Sequence, residues 1–209
     1  MPKQEAPLEY LSRYIPRPAV PRILEYLNFY KVHLTITRDR KSVLGDYRHA
    51  GRGEAHRISV NSTLNQFAFL ITLVHELAHL VTFAQFGHRV AAHGKEWKQV
   101  YAQLLSDFLN KDIFPTDIEQ SLKDSLHNLP ASSCSNEDLM RILRNYDEKE
   151  PGMVLVEEVP LGGIFKLDNG SVFRKGHQLR KRIQCQDIHT KKWYLFNPIY
   201  EVKLLELNS

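Results

Sequence analysis

The sequence predicts an α+β fold, in which helices packed on a small antiparallel sheet are followed by a small all-β module. The segments "KVHLTITRD" and "HRISVN" alternate apolar and polar residues, as half-buried strands do. Apolar residues recur at helical spacing between Trp97 and Phe108, and a long apolar segment precedes them. Beyond Gly152 the chain consists of short segments rich in branched and aromatic residues, which indicates a second, β-rich region.

The composition is that of a globular protein with a modest positive charge. Of the 209 residues, 43% are hydrophobic and 25% are charged, which is ordinary for a soluble domain. The first residues contain no continuous apolar stretch behind a basic end, so we expect a cytoplasmic protein without a signal peptide. Cys134 and Cys185 are too few for a disulfide framework and are expected as buried thiols. The net charge of +4 permits an acidic partner without requiring one.

One helix and three strands are expected before the long apolar segment. Residues 18–30 predict an amphipathic helix, because apolar residues recur every three or four positions and a proline suits the first turn. Between the two strands already named, Val43, Leu44 and Tyr47 indicate a further strand, which ends in a glycine-containing turn.

The long apolar segment predicts a helix that begins near Ser62 or Thr63 and ends at Gly87, a residue suited to the left-handed conformation after a helix. Such a helix is long enough to span a bilayer. It carries His75 and Glu76 near its middle, however, and the chain offers no further spans to surround these polar groups. We therefore interpret it as the core helix of a soluble domain and expect no membrane partner.

The same patterns predict the domain boundaries. Residues 1–17 are expected to form an N-terminal tail and residues 18–122 the domain built around the long helix. Residues 123–151 read as a linker with a short helix capped by Ser135. Residues 152–209 form the β-rich module, whose size makes an independent core marginal.

Two histidines lie four residues apart in the long helix. This spacing places His75 and His79 on one face, where two imidazoles can bind one metal ion and Glu76 can point at its open position. The alternative is that both are core histidines satisfied by hydrogen bonds. Two imidazoles and a carboxylate in an apolar core are costly unless something satisfies them, and a metal ion would do so.

A third ligand must come from outside this helical turn. Catalytic zinc sites keep three protein ligands and an open position, and zinc prefers nitrogen ligands. The metzincin pattern is excluded, because it would require a glycine and a histidine in place of Thr82 and Gln85. Spacing alone leaves three candidates open: His88, His93 and Glu96.

The segment "TLVHELAHLVTFAQFGHRVAAHGKEWKQVYAQL" closely resembles the metallopeptidase motif of the SprT-like family. In that motif H-E-x-x-H is followed, after a loop, by a histidine in an H-G-x-x-W setting, here His93, Gly94 and Trp97. The resemblance extends upstream and covers roughly residues 18–109. It implies a zincin-like metallopeptidase domain with His93 as the third ligand of one Zn²⁺ ion. For several family members it also implies proteolysis of proteins bound or crosslinked to DNA.

The C-terminal region departs from many of these relatives. Where they carry a zinc ribbon with paired cysteines, this chain offers only Cys185, so a second zinc ion is not expected. We predict a ribbon-like sheet that aromatic side chains hold together in place of a metal: Phe165, Phe173, Trp193, Tyr194 and Phe196.

Motif and resemblance together predict a zinc-dependent peptidase acting on a protein or peptide. Glu76 would be the general base that takes a proton from water and returns it to the departing amine. The strand over residues 57–61 is expected to present its edge to an extended peptide. The residue that stabilises the oxyanion is left open among four candidates: Tyr47, His88, Arg89 and Tyr101.

Two other classes of function are compatible with the sequence. In the first, zinc is structural, Glu76 is idle, and the chain is a non-catalytic module that binds nucleic acid or protein. A fourth ligand, Glu96 or His88, would favour this reading. In the second, the chain is an adaptor whose β-rich tail carries the function.

Two basic stretches, from Arg38 to Arg57 and from Arg174 to Arg182, are candidates for contact with DNA. Both place cations beside aromatic residues, as surfaces that follow a nucleic-acid strand do. The alternative is a solvated loop and strand face, because Asp39, Asp46 and Glu54 dilute the first stretch. DNA binding would weaken steeply with salt.

Overall fold

A computed structural model describes residues 8–38, 43–51, 54–126, 136–148 and 150–205. The chain divides into two compact units, Met1–Asp147 and Glu148–Ser209. The first unit contains helices and a small sheet, and the second is a single sheet, so the predicted α+β class with an all-β C-terminal module is confirmed.

The first unit contains five α-helices and three strands among the described residues. In chain order they are α1 (Val20–Phe29), β1 (Val32–Thr37), β2 (Gly45–Arg48), β3 (His56–Asn61), α2 (Gln66–Phe86), α3 (Lys95–Ser106), α4 (Thr116–Ser125) and α5 (Glu137–Arg144).

The sheet of the first unit is mixed, which corrects the predicted antiparallel sheet. Its strand order is β1-β3-β2, with β3 parallel to β1 and antiparallel to β2. The chain passes from β1 to the far edge and returns through the centre, where the side chains of Ile58 and Val60 are buried. The strand with the most buried residues thus takes the position with neighbours on both sides.

Helix α2 forms the centre of the first unit. It begins at Gln66, later than predicted, because the Asn65 side chain accepts hydrogen bonds from the backbone N–H groups of Phe67 and Ala68. Its predicted end is confirmed: Gly87 follows with a φ of +60°. The helix is long and apolar enough to cross a membrane, but most of it is buried inside this unit. This is the environment expected for a core helix.

The core of the first unit extends beyond the predicted domain at both ends. Leu11 and Ile15, within the predicted tail, are buried in the same cluster as α2. Leu139 and Leu143 of α5 also join it, so this helix packs in the first unit instead of lying in a free linker. Asn136 caps α5 by accepting a hydrogen bond from the N–H of Leu139. The predicted cap Ser135, like Cys134, lies outside the described residues.

The second unit is a six-stranded antiparallel sheet. Its strands are β4 (Met153–Leu155), β5 (Ile164–Lys166), β6 (Val172–Leu179), β7 (Arg182–Asp187), β8 (Trp193–Phe196) and β9 (Glu201–Leu205), in the order β4-β9-β5-β6-β7-β8.

Aromatic packing holds this sheet together, although two of the five predicted aromatic residues lie outside the core. The ring of Phe165 lies 5.8 Å from that of Phe173 and 5.5 Å from that of Phe196. Cys185 is a buried thiol in the same cluster, as predicted. Trp193 and Tyr194 are 54% and 45% exposed and do not belong to this core, although the ring of Tyr194 lies 5.5 Å from that of Phe173.

Candidate metal centre

The polar residues of α2 lie on a face that the protein buries. His75 and Glu76 are 6% and 7% exposed, on a helix whose other buried residues are almost all apolar. Burying these groups without partners is unfavourable. Their surroundings therefore decide what this face can do.

Three imidazole nitrogens converge beside α2. The Nε2 atoms of His79 and His93 each lie 3.3 Å from the Nε2 atom of His75. Four ligands at about 2.0–2.1 Å around a tetrahedral ion lie about 3.3–3.4 Å from one another. Both separations from His75 therefore match the spacing around one tetrahedral ion, and the ligand atoms of all three histidines lie within 4.8 Å of one another.

The loop before α3 delivers His93 to this position. His93 has a φ of +60°, a conformation that residues other than glycine rarely adopt and that persists only where the surroundings fix it. The ring of Trp97, fully buried in the first turn of α3, lies 4.7 Å from the rings of both His75 and His93 and 5.2 Å from that of His79. Trp97 thus packs against the rings of all three ligands.

Burial keeps the three imidazoles neutral. It lowers the pKa of His75 to about 3, with further lowering from His79 and His93. Burial, followed by the charge of His93, lowers the pKa of His79 to about 4, and burial also lowers the pKa of His93. A neutral imidazole offers a nitrogen lone pair, which is the form that binds metals. The donor set therefore fits a divalent ion that prefers nitrogen.

Packing fixes the orientation of the His75 ring. Among the described residues its Nδ1 atom is buried without a hydrogen-bond partner, as are Trp97 Nε1 and Thr82 Oγ1. The ring lies between those of Trp97, at 4.7 Å, and Tyr101, at 5.5 Å. The more common arrangement, in which a hydrogen bond to Nδ1 orients a metal-binding histidine, is replaced here by two aromatic contacts.

Glu76 is held between the edge strand β2 and helix α3. A Cβ atom built on Gly45 would lie 2.7 Å from Glu76 Oε1, so the backbone of β2 rests directly against this carboxylate. On the other side, burial raises the pKa of the Tyr101 hydroxyl, and the negative charge of Glu76 raises it further. The base predicted from the sequence is therefore buried against the backbone of β2 and follows the first ligand in the sequence.

Of the three candidates for the third ligand, His93 lies at the site, whereas His88 and Glu96 lie elsewhere. Among the described residues, the one group able to hold a metal is His75, His79 and His93. The ring of His88 lies 5.0 Å from that of Phe83 and 4.9 Å from that of His49, and His88 is not a member of this group. Glu96 lies in the first turn of α3, next to Gly94.

The four candidates for oxyanion stabilisation are all engaged in other contacts. The hydroxyl of Tyr47 pairs with His56 Nδ1 at 2.9 Å, and Tyr101 stacks on Trp97. His88 packs on Phe83, as described above. The side chain of Arg89 donates a hydrogen bond to the carbonyl of Phe86 at 3.1 Å. Of the four, Tyr101 is the one whose ring also contacts a ligand, at 5.5 Å from that of His75. The role itself stays a prediction.

The expected peptide-binding edge is not on β3, because β3 is the central strand of its sheet. The free edge beside the site belongs to β2. Gly45 of this strand was not a candidate from the sequence, although a glycine inside a strand pattern indicates a close approach of backbone to another group.

The two basic stretches differ in the structure. In the first, Arg48 pairs with Asp46 at 2.9 Å and Arg57 approaches Glu54 at 3.7 Å. The second stretch contains Arg174 and the turn from Arg180 to Arg182, which are exposed. Within the described part of the chain, no ion pair involves these cations of the second stretch.

Comparison with known proteins points to one family. Residues 25–119, just under half of the chain, match the SprT-like family model. Protein SprT of Yersinia pestis is 38% identical over 88 residues, which cover 38% of this chain and 51% of that protein. Protein SprT of Serratia proteamaculans (strain 568) is 36% identical over 96 residues, covering 42% and 56%. For Enterobacter sp. (strain 638), protein SprT is 48% identical over 56 residues, covering 25% and 33%.

The chain thus spans a third to just over half of the length of these relatives. No solved structure matches it.

Proposed function

Residues 25–119 of this chain belong to the SprT-like family, and on that premise we propose that it is a cytoplasmic zinc-dependent metallopeptidase with a zincin-like domain. One observation carries the proposal. The Nε2 atoms of His79 and His93 each lie 3.3 Å from that of His75, next to the buried carboxylate of Glu76. Three neutral imidazoles and an adjacent carboxylate are a set of side chains that can support metal-assisted hydrolysis of a peptide bond.

Zinc fits this donor set best. It prefers nitrogen ligands, and catalytic zinc sites commonly have three protein ligands. When bound, zinc supplies Lewis acidity, which lowers the pKa of a water molecule and polarises a carbonyl group. His75, His79 and His93 would hold the ion, and their lowered pKa values mean that binding at neutral pH displaces few protons.

Glu76 is the proposed general base. Its carboxylate oxygen takes a proton from water as the water oxygen bonds to the scissile carbonyl carbon, and passes a proton to the amide nitrogen as the C–N bond breaks. The products are a carboxylate and an amine. The side chain is 7% exposed, so its interactions with the reacting groups are little screened by solvent.

The edge of β2 is the proposed binding site for the substrate backbone. Asn61 donates a backbone hydrogen bond to Leu44 at 2.9 Å, and Gly45 lies opposite Val60. In an antiparallel pair the direction of these groups alternates along the strand. The N–H and C=O groups of Gly45 and Tyr47 therefore face away from β3. An extended peptide can pair with them and pass beside Glu76.

The non-catalytic alternative would need a fourth protein ligand. The metal-binding group in the described residues has three members, and His88 packs against Phe83 instead of joining it. Three ligands leave an open position, as catalytic sites do. This favours an enzyme over a module in which zinc is only structural.

A second function, contact with nucleic acid, is favoured by one face of the second unit. Arg174, Gln186 and Trp193 lie side by side on β6, β7 and β8. The indole of Trp193 lies over Gly176, whose added Cβ would come within 3.1 Å of Trp193 Cζ3. An exposed indole can stack on a base, and an arginine beside it can pair with phosphate. On this proposal the peptidase acts on DNA-associated or DNA-crosslinked proteins.

Cleavage of an unfolded protein by the zinc-loaded chain tests the proposed enzyme. We expect cleavage that a chelator stops and added zinc restores. Glu76→Gln should retain one zinc ion but lose at least about a hundredfold in rate, because a positioned base contributes that much. Glu96→Gln, which changes a carboxylate outside the metal-binding group, is the matched control and should behave as the unmodified chain. Undiminished cleavage by zinc-loaded Glu76→Gln would overturn the proposed mechanism.

A further inference from the structure

Gly45 occupies the point where the edge strand meets the proposed base. A Cβ atom built there would lie 2.7 Å from Glu76 Oε1, 2.9 Å from Glu76 Cγ and 2.7 Å from Thr72 Cγ2. Distances this short are not tolerated between non-bonded atoms. The φ of Gly45 lies outside the left-handed region, so space and not backbone conformation requires glycine at this position.

The groups that Gly45 touches have little freedom to move away. Thr72 and Glu76 are one helical turn apart on α2 and are 3% and 7% exposed. Well-packed interiors respond to an added methyl group by shifting side chains or backbone, at a cost in stability. The backbone of β2 therefore limits where the Glu76 carboxylate can lie.

From these contacts we propose that Gly45 is a positioning residue for Glu76. Because Gly45 has no side chain, β2 can pack closely against α2. The strand backbone then fixes the carboxylate of Glu76 next to the ligand His75. The catalytic consequence rests on the proposed function, whereas the contact itself does not.

The same residue faces the proposed substrate. Gly45 turns its backbone N–H and C=O groups to the outer side of β2, as argued above from the register with Val60. A peptide that pairs with β2 at this point forms its hydrogen bonds with Gly45, the residue that packs against Glu76. Gly45 thus sets the distance between the substrate backbone and the carboxylate that must reach it.

A double-mutant cycle on melting temperature tests the contact without any need for activity. Gly45→Ala should lower the melting temperature by roughly 4 °C or more through overpacking. In a Glu76→Ala background the added methyl group has more room, so Gly45→Ala should lower the melting temperature clearly less. Gly51→Ala, where the nearest atom to an added Cβ is 3.7 Å away, is the matched control and should show the same small effect in both backgrounds.

Equal effects of Gly45→Ala in the two backgrounds would overturn the proposal. If Gly45→Ala alone is too unstable to purify, recovery of folded protein by Glu76→Ala or Thr72→Ser supports it. Failure of both second changes to recover the protein counts against it.

Kinetics of the zinc-loaded chain separate positioning from general destabilisation. Gly45→Ala should keep the zinc affinity of the unmodified chain and lose roughly tenfold or more in kcat with little change in KM, because misplacement of a catalytic group acts on the chemical step. Thr72→Ser, which removes the Cγ2 atom from the crowded site, should restore part of the kcat of Gly45→Ala. An unchanged kcat would overturn the role in positioning. If the unmodified chain cleaves nothing, the proposed function fails and the stability cycle still decides whether the contact exists.

Discussion

The Nε2 atoms of His75 and His79 lie 3.3 Å apart, although they belong to successive turns of a helix surrounded by apolar side chains. This separation equals the distance between two ligands of a tetrahedral ion bound at about 2.0–2.1 Å. These two nitrogens are therefore spaced as ligands of one ion are. Burial keeps both rings neutral, which is the form that binds metals.

We predict that the chain binds one zinc ion and that His93 is required for it. His93→Ala removes one of three ligands and should weaken zinc binding by at least about a hundredfold, because a bond to the ion is lost and a two-histidine site remains. Competition with a metal-sensitive dye measures the affinity. His88→Ala changes a neighbouring histidine that packs on Phe83 and should leave the zinc affinity unaltered. Equal losses in the two variants would contradict the assignment of His93.

The metal-free protein should lose stability as the pH falls from 7 towards 4. In the folded chain burial lowers the pKa of His75 to about 3 and that of His79 to about 4, from the 6.5 of an ordinary histidine. The unfolded chain therefore binds more protons in this window. As the pH falls below 6.5, the free energy of unfolding declines by up to about 1.4 kcal/mol per pH unit for each such histidine. The decline ends when the pH reaches the pKa of that histidine in the folded chain.

Urea denaturation of chelator-treated protein at several pH values measures this slope. The variant His75→Asn/His79→Asn cannot take up these protons and should show a flatter dependence. A stability that is the same at pH 7 and pH 5 in the unmodified protein would contradict the prediction.

Peptide inhibitors that carry a single N-methyl group should reveal the use of the β2 edge. Because alternate amides of an extended peptide face the strand, methylation should weaken inhibition roughly tenfold at every second position and much less at the positions between. Inhibition constants for a series methylated at successive residues measure the pattern. A loss that does not alternate along the peptide would place the substrate elsewhere.

Trp193→Ala should weaken binding of single-stranded DNA by roughly tenfold, because stacking on an aromatic side chain contributes about 1–3 kcal/mol per base. Fluorescence anisotropy of a labelled oligonucleotide at several salt concentrations measures the affinity. The control Leu161→Ala removes another exposed apolar side chain of the same unit, 64% exposed, and should bind as the unmodified chain does. DNA binding that is absent, or that does not change with salt, would count against this surface.

Local sequence patterns were sufficient for the parts of the fold that depend on near neighbours. The helical spacing of His75 and His79 places both on one face of α2 whatever surrounds the helix. Gly87 ends that helix because a glycine adopts a positive φ, here +60°, at little cost. The predicted strands of the C-terminal region are found as β4 to β9, since period-two patterns and turns are also local signals.

The sequence was less informative where the answer depends on distant segments. The start of α2 lies at Gln66 because the side chain of Asn65 caps it, and that side chain also donates to the carbonyl of Leu143, far along the chain. The alternation of β3 indicates a strand but not its neighbours. Its central place, which moved the expected peptide-binding edge to β2, follows from pairing with both β1 and β2 in the folded sheet.

By itself, then, the sequence determined the ligand-bearing helix, the class of fold and, through family resemblance, the choice of His93. Only the tertiary structure decided that Trp97 lies beneath all three ligands and that Gly45 lies against Glu76. The physical reason is the separation along the sequence between the residues that interact. Helical and strand periodicity arise from backbone geometry within a few residues, whereas a site assembled from a helix, a loop and an edge strand exists only after long-range packing has brought them together.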